Sequence, residues 1–201
     1  KLERGRFELS PRAHKYYICI EVVWKEPKDE QTHSALLNEL RKHFGGPNVV
    51  SGDVSARDLL FGALRDLHYS IVCAESCTGG ALGERITSIA GSSEVFWGSL
   101  VTYSEAAKTK ILKVPRKIIE KHGAVSSECV HAMVKGALNT SGADIALGVS
   151  GIAGPGGGSA KKPRGTVWIG LAGREREFQG FRFLFSGDRE EVRRKTVIAG
   201  L

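Results

Sequence analysis

Three groups of residues in this 201-residue chain have the types and spacing for chemistry. The first is centred on Ser76, within Ala74-Glu75-Ser76-Cys77-Thr78-Gly79-Gly80. A β-rich apolar run (69–73) precedes it, and Ala81, Leu82, Ile86 and Ile89 follow on one face of a helix. Strand, small polar turn, glycine pair and helix place Ser76 at a strand end, with the unpaired N–H groups of a first helical turn just behind it. A hydroxyl there either acts as a nucleophile whose oxyanion those N–H groups receive, or Ser76 or Thr78 caps the helix. Cys77 is a rival nucleophile, because a helix N-terminus lowers a thiol pKa.

The second group is Val101-Thr102-Tyr103-Ser104-Glu105-Ala106-Ala107-Lys108. Ser104 can cap a helix in which Lys108 has Ala106, Ala107 and Ile111 as apolar company. A lysine among apolar groups can lose its proton and act as a base, whereas an exposed helix lysine cannot. Working near neutral pH requires a shift of about three units from ~10.4, or about 4 kcal/mol. The third group is the run 151–158, with five glycines in eight residues after a small-apolar strand (144–150). Such a loop either lets the backbone point N–H groups at a ligand or is only a flexible connection. It is neither G-x-G-x-x-G nor a P-loop, which excludes a P-loop nucleoside triphosphatase. A Ser–His–Asp arrangement would need His122 or His131 with Asp144, and no local signature supports one.

The elements that must position these groups are legible from periodicity. The run 14–24 reads as a strand, 32–44 as a helix carrying Leu36, Leu37 and Leu40, and 48–50 as a short strand. This βαβ piece is too small to bury a sound core alone, and residues 1–13 have no clear period. Ser55-x-x-Asp58 resembles a capping box and opens the main domain. Helices then alternate with strands through residue 150. A hairpin (165–171 with 178–185) and a last helix from Gly187-Asp188 follow, and that helix is expected to be truncated by the chain end. The pattern predicts an α/β fold, a three-layer α/β/α sandwich with a mixed β-sheet, preceded by the small βαβ remnant.

Composition narrows the function classes. The net charge is +7, and its excess lies at the C-terminal end, where residues 161–201 hold ten Lys/Arg against five Asp/Glu. That bias suits an anionic ligand or a solvated basic surface. The longest apolar run (16–24) is broken by Glu21 and too short to span a bilayer, and no signal peptide is visible. The chain starts at Lys1 and its single methionine is Met133, so it reads as a piece of a longer or processed chain. Cys19, Cys73, Cys77 and Cys129 show neither a C-x-x-C nor zinc spacing; reduced thiols, a cytoplasmic location and no metal or other cofactor are expected.

Six motifs occur in order: Ala74–Gly80 (AESCTGG), Val101–Lys108 (VTYSEAAK), Gly123–Ser126 (GAVS), Ser150–Pro155 (SGIAGP), Lys162–Trp168 (KPRGTVW) and Phe185–Arg189 (FSGDR). Together they resemble the C-terminal domain of the CinA (competence/damage-inducible) family, a nicotinamide mononucleotide deamidase domain, over about residues 54–201. The resemblance divides the chain into 1–52, a partial KH-like module or linker, and 53–201, the deamidase domain. It implies hydrolysis of nicotinamide mononucleotide to nicotinic acid mononucleotide and ammonia in pyridine nucleotide salvage. Ser76 would be the nucleophile, Lys108 the base and Tyr103 their assistant. Cys77, Thr78, Gly79, Gly80, Gly151, Ile152, Ala153, Gly154 and Arg189 are the expected substrate-binding residues. A homodimer or higher homo-oligomer is the expected assembly. A catalytically silent nucleotide-binding module is the alternative, separable by ammonia release. Nucleic-acid binding is disfavoured because residues 1–52 lack a G-x-x-G loop.

Overall fold

The computed structural model describes residues 7–13, 18–25, 30–44, 49 and 56–201. The chain divides into two compact units, Lys1–Ser55 and Ala56–Leu201. In the first, β1 (Phe7–Ala13) pairs antiparallel with β2 (Ile18–Trp24), and α1 (Glu30–Phe44) follows. Residues 7–13, which have no clear period in the sequence and read as a linker or a broken edge, are a strand. The expected strand at 48–50 falls outside the described residues except for Val49, which is in no regular element. The Ser55 capping box also lies outside them. In α1 the side chain of Leu36 is buried, and Leu37 and Leu40 are half-buried on the same face.

The second unit opens with α2 (Ala56–Asp66) and β3 (Ile71–Glu75). Next come α3 (Ala81–Thr87), β4 (Phe96–Val101), α4 (Glu105–Ile111), α5 (Arg116–His122) and α6 (Ser127–Ser141). The hairpin region holds β5 (Ile145–Gly151), β6 (Thr166–Gly173) and β7 (Arg176–Leu184), and α7 (Arg189–Gly200) closes the unit. The strand order is β4-β3-β5-β6-β7. The strand β3 runs parallel to both β4 and β5, while β6 and β7 are antiparallel additions, so the sheet is mixed.

Side chains alternate across this sheet and build two cores. Ile71, Cys73, Leu147, Val149, Val167 and Ile169 face Phe61 and Leu64 of α2, Leu82 and Ile86 of α3, and Val192 and Val197 of α7. Val72, Ala74, Ala146 and Ala172 face Ile119 of α5 and Val130, Met133, Val134 and Ala137 of α6. Each fully buried aliphatic side chain contributes about 1.5–3 kcal/mol, so two apolar layers fix three layers of structure. The caps are local: Ser104 Oγ accepts from Ala107 N (3.1 Å) and Ser126 Oγ from Cys129 N (3.1 Å). Asp188 and Glu191 form a full capping box at α7.

Candidate active site

Two parallel strands end side by side, and their connections carry the reactive groups. Ser76 follows the last residue of β3, and Lys108 sits one turn into α4, which follows β4. Lys108 is 1% exposed, and its Nζ lies 2.8 Å from Ser76 Oγ. The same nitrogen donates to the carbonyl oxygens of Thr102 (2.7 Å) and Tyr103 (3.2 Å). Among the described residues no carboxylate lies within ion-pair distance of Nζ. Burial therefore pushes the Lys108 pKa below the ordinary lysine value.

The turn after β3 is organised by a residue to which sequence alone assigned no role. Glu75 is fully buried, and its carboxylate accepts hydrogen bonds from the N–H groups of Gly80 (2.9 Å), Leu82 (3.1 Å) and Gly83 (2.8 Å) and from Ser99 Oγ (2.5 Å). Neither Ser76 nor Thr78 caps α3; its N-cap is Gly80 at φ 98°, without a side-chain cap. Thr78 Oγ1 is buried with no protein partner. The N–H of Gly79 donates to Ser76 O, while those of Cys77 and Thr78 donate to no protein group of another residue among the described residues. Cys77 is 4% exposed, and burial pushes its thiol pKa up to about 11. The lowered thiol pKa expected from the helix N-terminus is thus reversed by desolvation.

Tyr103 enters the site through its backbone, whose carbonyl accepts from Lys108. Its exposed hydroxyl instead accepts from Arg189 Nη2 (3.1 Å), and Arg189 Nη1 donates to Gly154 O (2.6 Å). The first residue of α7 thereby ties the α4 entry to the glycine loop. Gly151 closes β5 against Cys77, whose Sγ would lie 3.1 Å from a Cβ placed there. Ile152 N donates to Thr166 O, and Ala153 is buried in the core. The N–H groups of Gly154, Gly156 and Gly157 have no protein acceptor among the described residues. One turn after Arg189, Arg193 Nη2 donates to Thr78 O (2.8 Å) and lies over Gly79. In the sequence Arg193 is one of the ten Lys/Arg of residues 161–201, and its i, i+4 spacing from Arg189 was the available signal.

The histidines lie elsewhere in the contact network. His122 Nδ1 is 3.1 Å from Glu128, His131 stacks on Phe178, and Asp144 accepts from Ser70 before β5 begins. Asp144 thus stands at the start of the strand whose other end meets the serine. Among the described residues no group of three or more His, Cys, Asp or Glu could hold a metal ion. No helix there is long and apolar enough to cross a membrane.

Fold and site together define a class: a three-layer α/β/α domain with a buried serine and lysine at the carboxyl ends of its parallel strands, where open α/β sheets bind ligands. The chain belongs to the CinA C-terminal domain family, whose family model matches residues 54–201. It is 50% identical over 139 residues to the nicotinamide-nucleotide amidohydrolase PncC of Enterobacter agglomerans, covering 69% of this chain and 85% of that protein. It is 43% identical over 185 residues to a CinA-like protein of Geotalea daltonii, of which it spans 45% while 92% of this chain is covered. The crystal structure of competence/damage inducible protein CihA from Agrobacterium tumefaciens superposes with a TM-score of 0.70 at 36% identity, covering 76% of this chain and 93% of that one.

Proposed function

We propose that this chain hydrolyses the carboxamide of nicotinamide mononucleotide, giving nicotinic acid mononucleotide and ammonia. The observation that carries this reading is the 2.8 Å approach of Ser76 Oγ to the fully buried Lys108 Nζ. A neutral amine has two hydrogens and one lone pair. Thr102 O and Tyr103 O take the two hydrogens, which turns the lone pair toward the Ser76 hydroxyl. Ser76 Oγ attacks the amide carbon as Lys108 accepts its proton, and the resulting ammonium hands that proton to the departing ammonia. The free N–H groups of Cys77 and Thr78 are the oxyanion donors. Water then attacks the nicotinoyl ester as Lys108 takes its proton; the acyl C–Oγ bond breaks and Lys108 returns that proton to Ser76 Oγ, which releases the acid and regenerates the hydroxyl and the neutral amine.

The ribose phosphate is assigned to the free N–H groups of the glycine loop together with Arg189, whose guanidinium already stands at Gly154. The names of the Enterobacter relative and of a 52% identical Pseudomonas putida relative, both nicotinamide-nucleotide amidohydrolase PncC, support the substrate. Residues 1–52 enter this reading as a partial KH-like module or linker with no part in the chemistry. A homodimer or higher homo-oligomer and a cytoplasmic location belong to the same proposal, and light scattering tests the assembly.

The deciding experiment measures ammonia released from nicotinamide mononucleotide, nicotinamide riboside and free nicotinamide. Release with kcat/KM strongly favouring the mononucleotide is expected. Comparable values for all three would remove the phosphate site. Tight binding without ammonia would leave a silent nucleotide-binding module.

A further inference from the structure

The site contains a fully buried carboxylate that the reaction does not use. Glu75 immediately precedes the nucleophile, yet strand alternation turns its side chain to the opposite face of the sheet from Ser76 and Lys108. Among the described residues no cation lies within ion-pair distance of it. A buried carboxylate is tolerated when its lone pairs are all engaged, and here four donors reach its two oxygens. Three are backbone N–H groups of the α3 entry and one is Ser99 of β4. The close approach depends on Gly83, where a Cβ would lie 2.9 Å from Ser99 Cβ and 3.4 Å from Glu75 Oε1.

The backbone of the same residue holds the base. Glu75 O accepts from Thr102 N (2.8 Å) and Thr102 Oγ1 (3.3 Å), and Thr102 O in turn accepts from Lys108 Nζ. Going round from Ser76 to Glu75, Thr102, Lys108 and back to Ser76 Oγ gives a closed ring of bonds. Only Glu75 in that ring is also clamped by its side chain to α3 and β4.

We infer that Glu75 is the positioning residue of this site: clamped by Ser99 and the α3 entry, it fixes the ring that holds Ser76 Oγ against Lys108 Nζ. This rests on the proposed serine–lysine chemistry. A misplacement of about 1 Å between such groups costs ~100-fold in rate, so the effect falls on kcat rather than on substrate binding.

The test is Glu75→Gln in the full chain, whose amide nitrogen cannot accept from Gly83 or Ser99. Two rates are read: ammonia release from the mononucleotide, and labelling of Ser76 by an alkyl fluorophosphonate, which needs no nicotinamide. A folded variant is expected to lose ~100-fold in kcat and in labelling rate, with KM within about threefold of wild type. A folded variant with wild-type kcat, a loss confined to KM, or an unchanged labelling rate per intact site would each overturn the inference. Should Glu75→Gln not fold, Ser99→Ala decides: about a tenfold loss of kcat at constant KM supports the clamp, and wild-type kcat overturns it. Wild type that is labelled at Ser76 but releases no ammonia refutes the deamidase reading. The labelling comparison still decides the role of Glu75.

Discussion

At the scale of single residues, the environment separates two adjacent nucleophile candidates. Cys77 is buried, and its pKa of about 11 leaves almost no thiolate at neutral pH, whereas Ser76 Oγ has the Lys108 amine at 2.8 Å. Ser76→Ala should abolish ammonia release while Cys77→Ser retains most of it; the reverse pattern would transfer the role to the thiol. Lys108→Arg keeps the charge but cannot lose a proton in this range, so it should bind the mononucleotide and lose at least ~100-fold in kcat. The wild-type kcat/KM should rise with pH through a group below the ordinary lysine value, because burial disfavours the charged amine. Stability follows the same group. Between the lowered folded value and the unfolded ~10.4 the unfolded chain binds the extra proton, so stability rises with pH across that window. Urea denaturation over a pH series should show this rise, and Lys108→Met should flatten it. The placement of Ser76 after a strand and of Lys108 early in a helix was legible from local pattern, whereas the roles given to them rested on the family resemblance, because cap and nucleophile, or exposed lysine and base, share the same local pattern. The contacts of Glu75 with Ser99 and of Arg193 with Thr78 were not legible, because they join positions distant in sequence that no local period encodes.

At the scale of elements, α6 lies against the sheet and carries much of one core, so its cap and its packing face are both exposed to test. Ser126 Oγ caps the helix and also donates to Gly123 O (2.8 Å). Ser126→Ala should cost about 1 kcal/mol of unfolding free energy, measurable by denaturant titration. Gly136 is more demanding, since any Cβ there would run into the backbone carbonyl of Leu112. Gly136→Ala should cost about 1–3 kcal/mol through forced separation of α6 from the end of α4. The helices and strands from β3 to α7 were readable from apolar periods or continuous apolar runs bounded by capping or glycine signals. The strand β1 was not, because residues 1–13 show no clear period, and Pro11 inside the run is a further signal against a strand. It is accommodated because β1 belongs to a two-stranded sheet, in which every strand is an edge. The end residues of β7 shifted by one or two positions, the usual scatter of element ends.

At the scale of the whole molecule, the family match (54–201) and the second compact unit (Ala56–Leu201) nearly coincide. A chain of residues 54–201 alone should therefore unfold in one cooperative transition and release ammonia within about threefold of the full chain. Loss of activity in a folded truncation would assign residues 1–53 a part in the reaction. Along the chain, the groups assigned to bond making and their positioning, Glu75 to Lys108, all lie between the end of β3 and α4, while Gly154, Arg189 and Arg193 belong to the C-terminal half. This separation has an evolutionary meaning. If the proposed assignment holds, mutational drift in the later half can retarget the domain to a different phosphorylated amide while the segment from β3 to α4 is inherited intact. Directed evolution toward new substrates should accordingly accumulate its changes after residue 150 and leave the earlier segment silent.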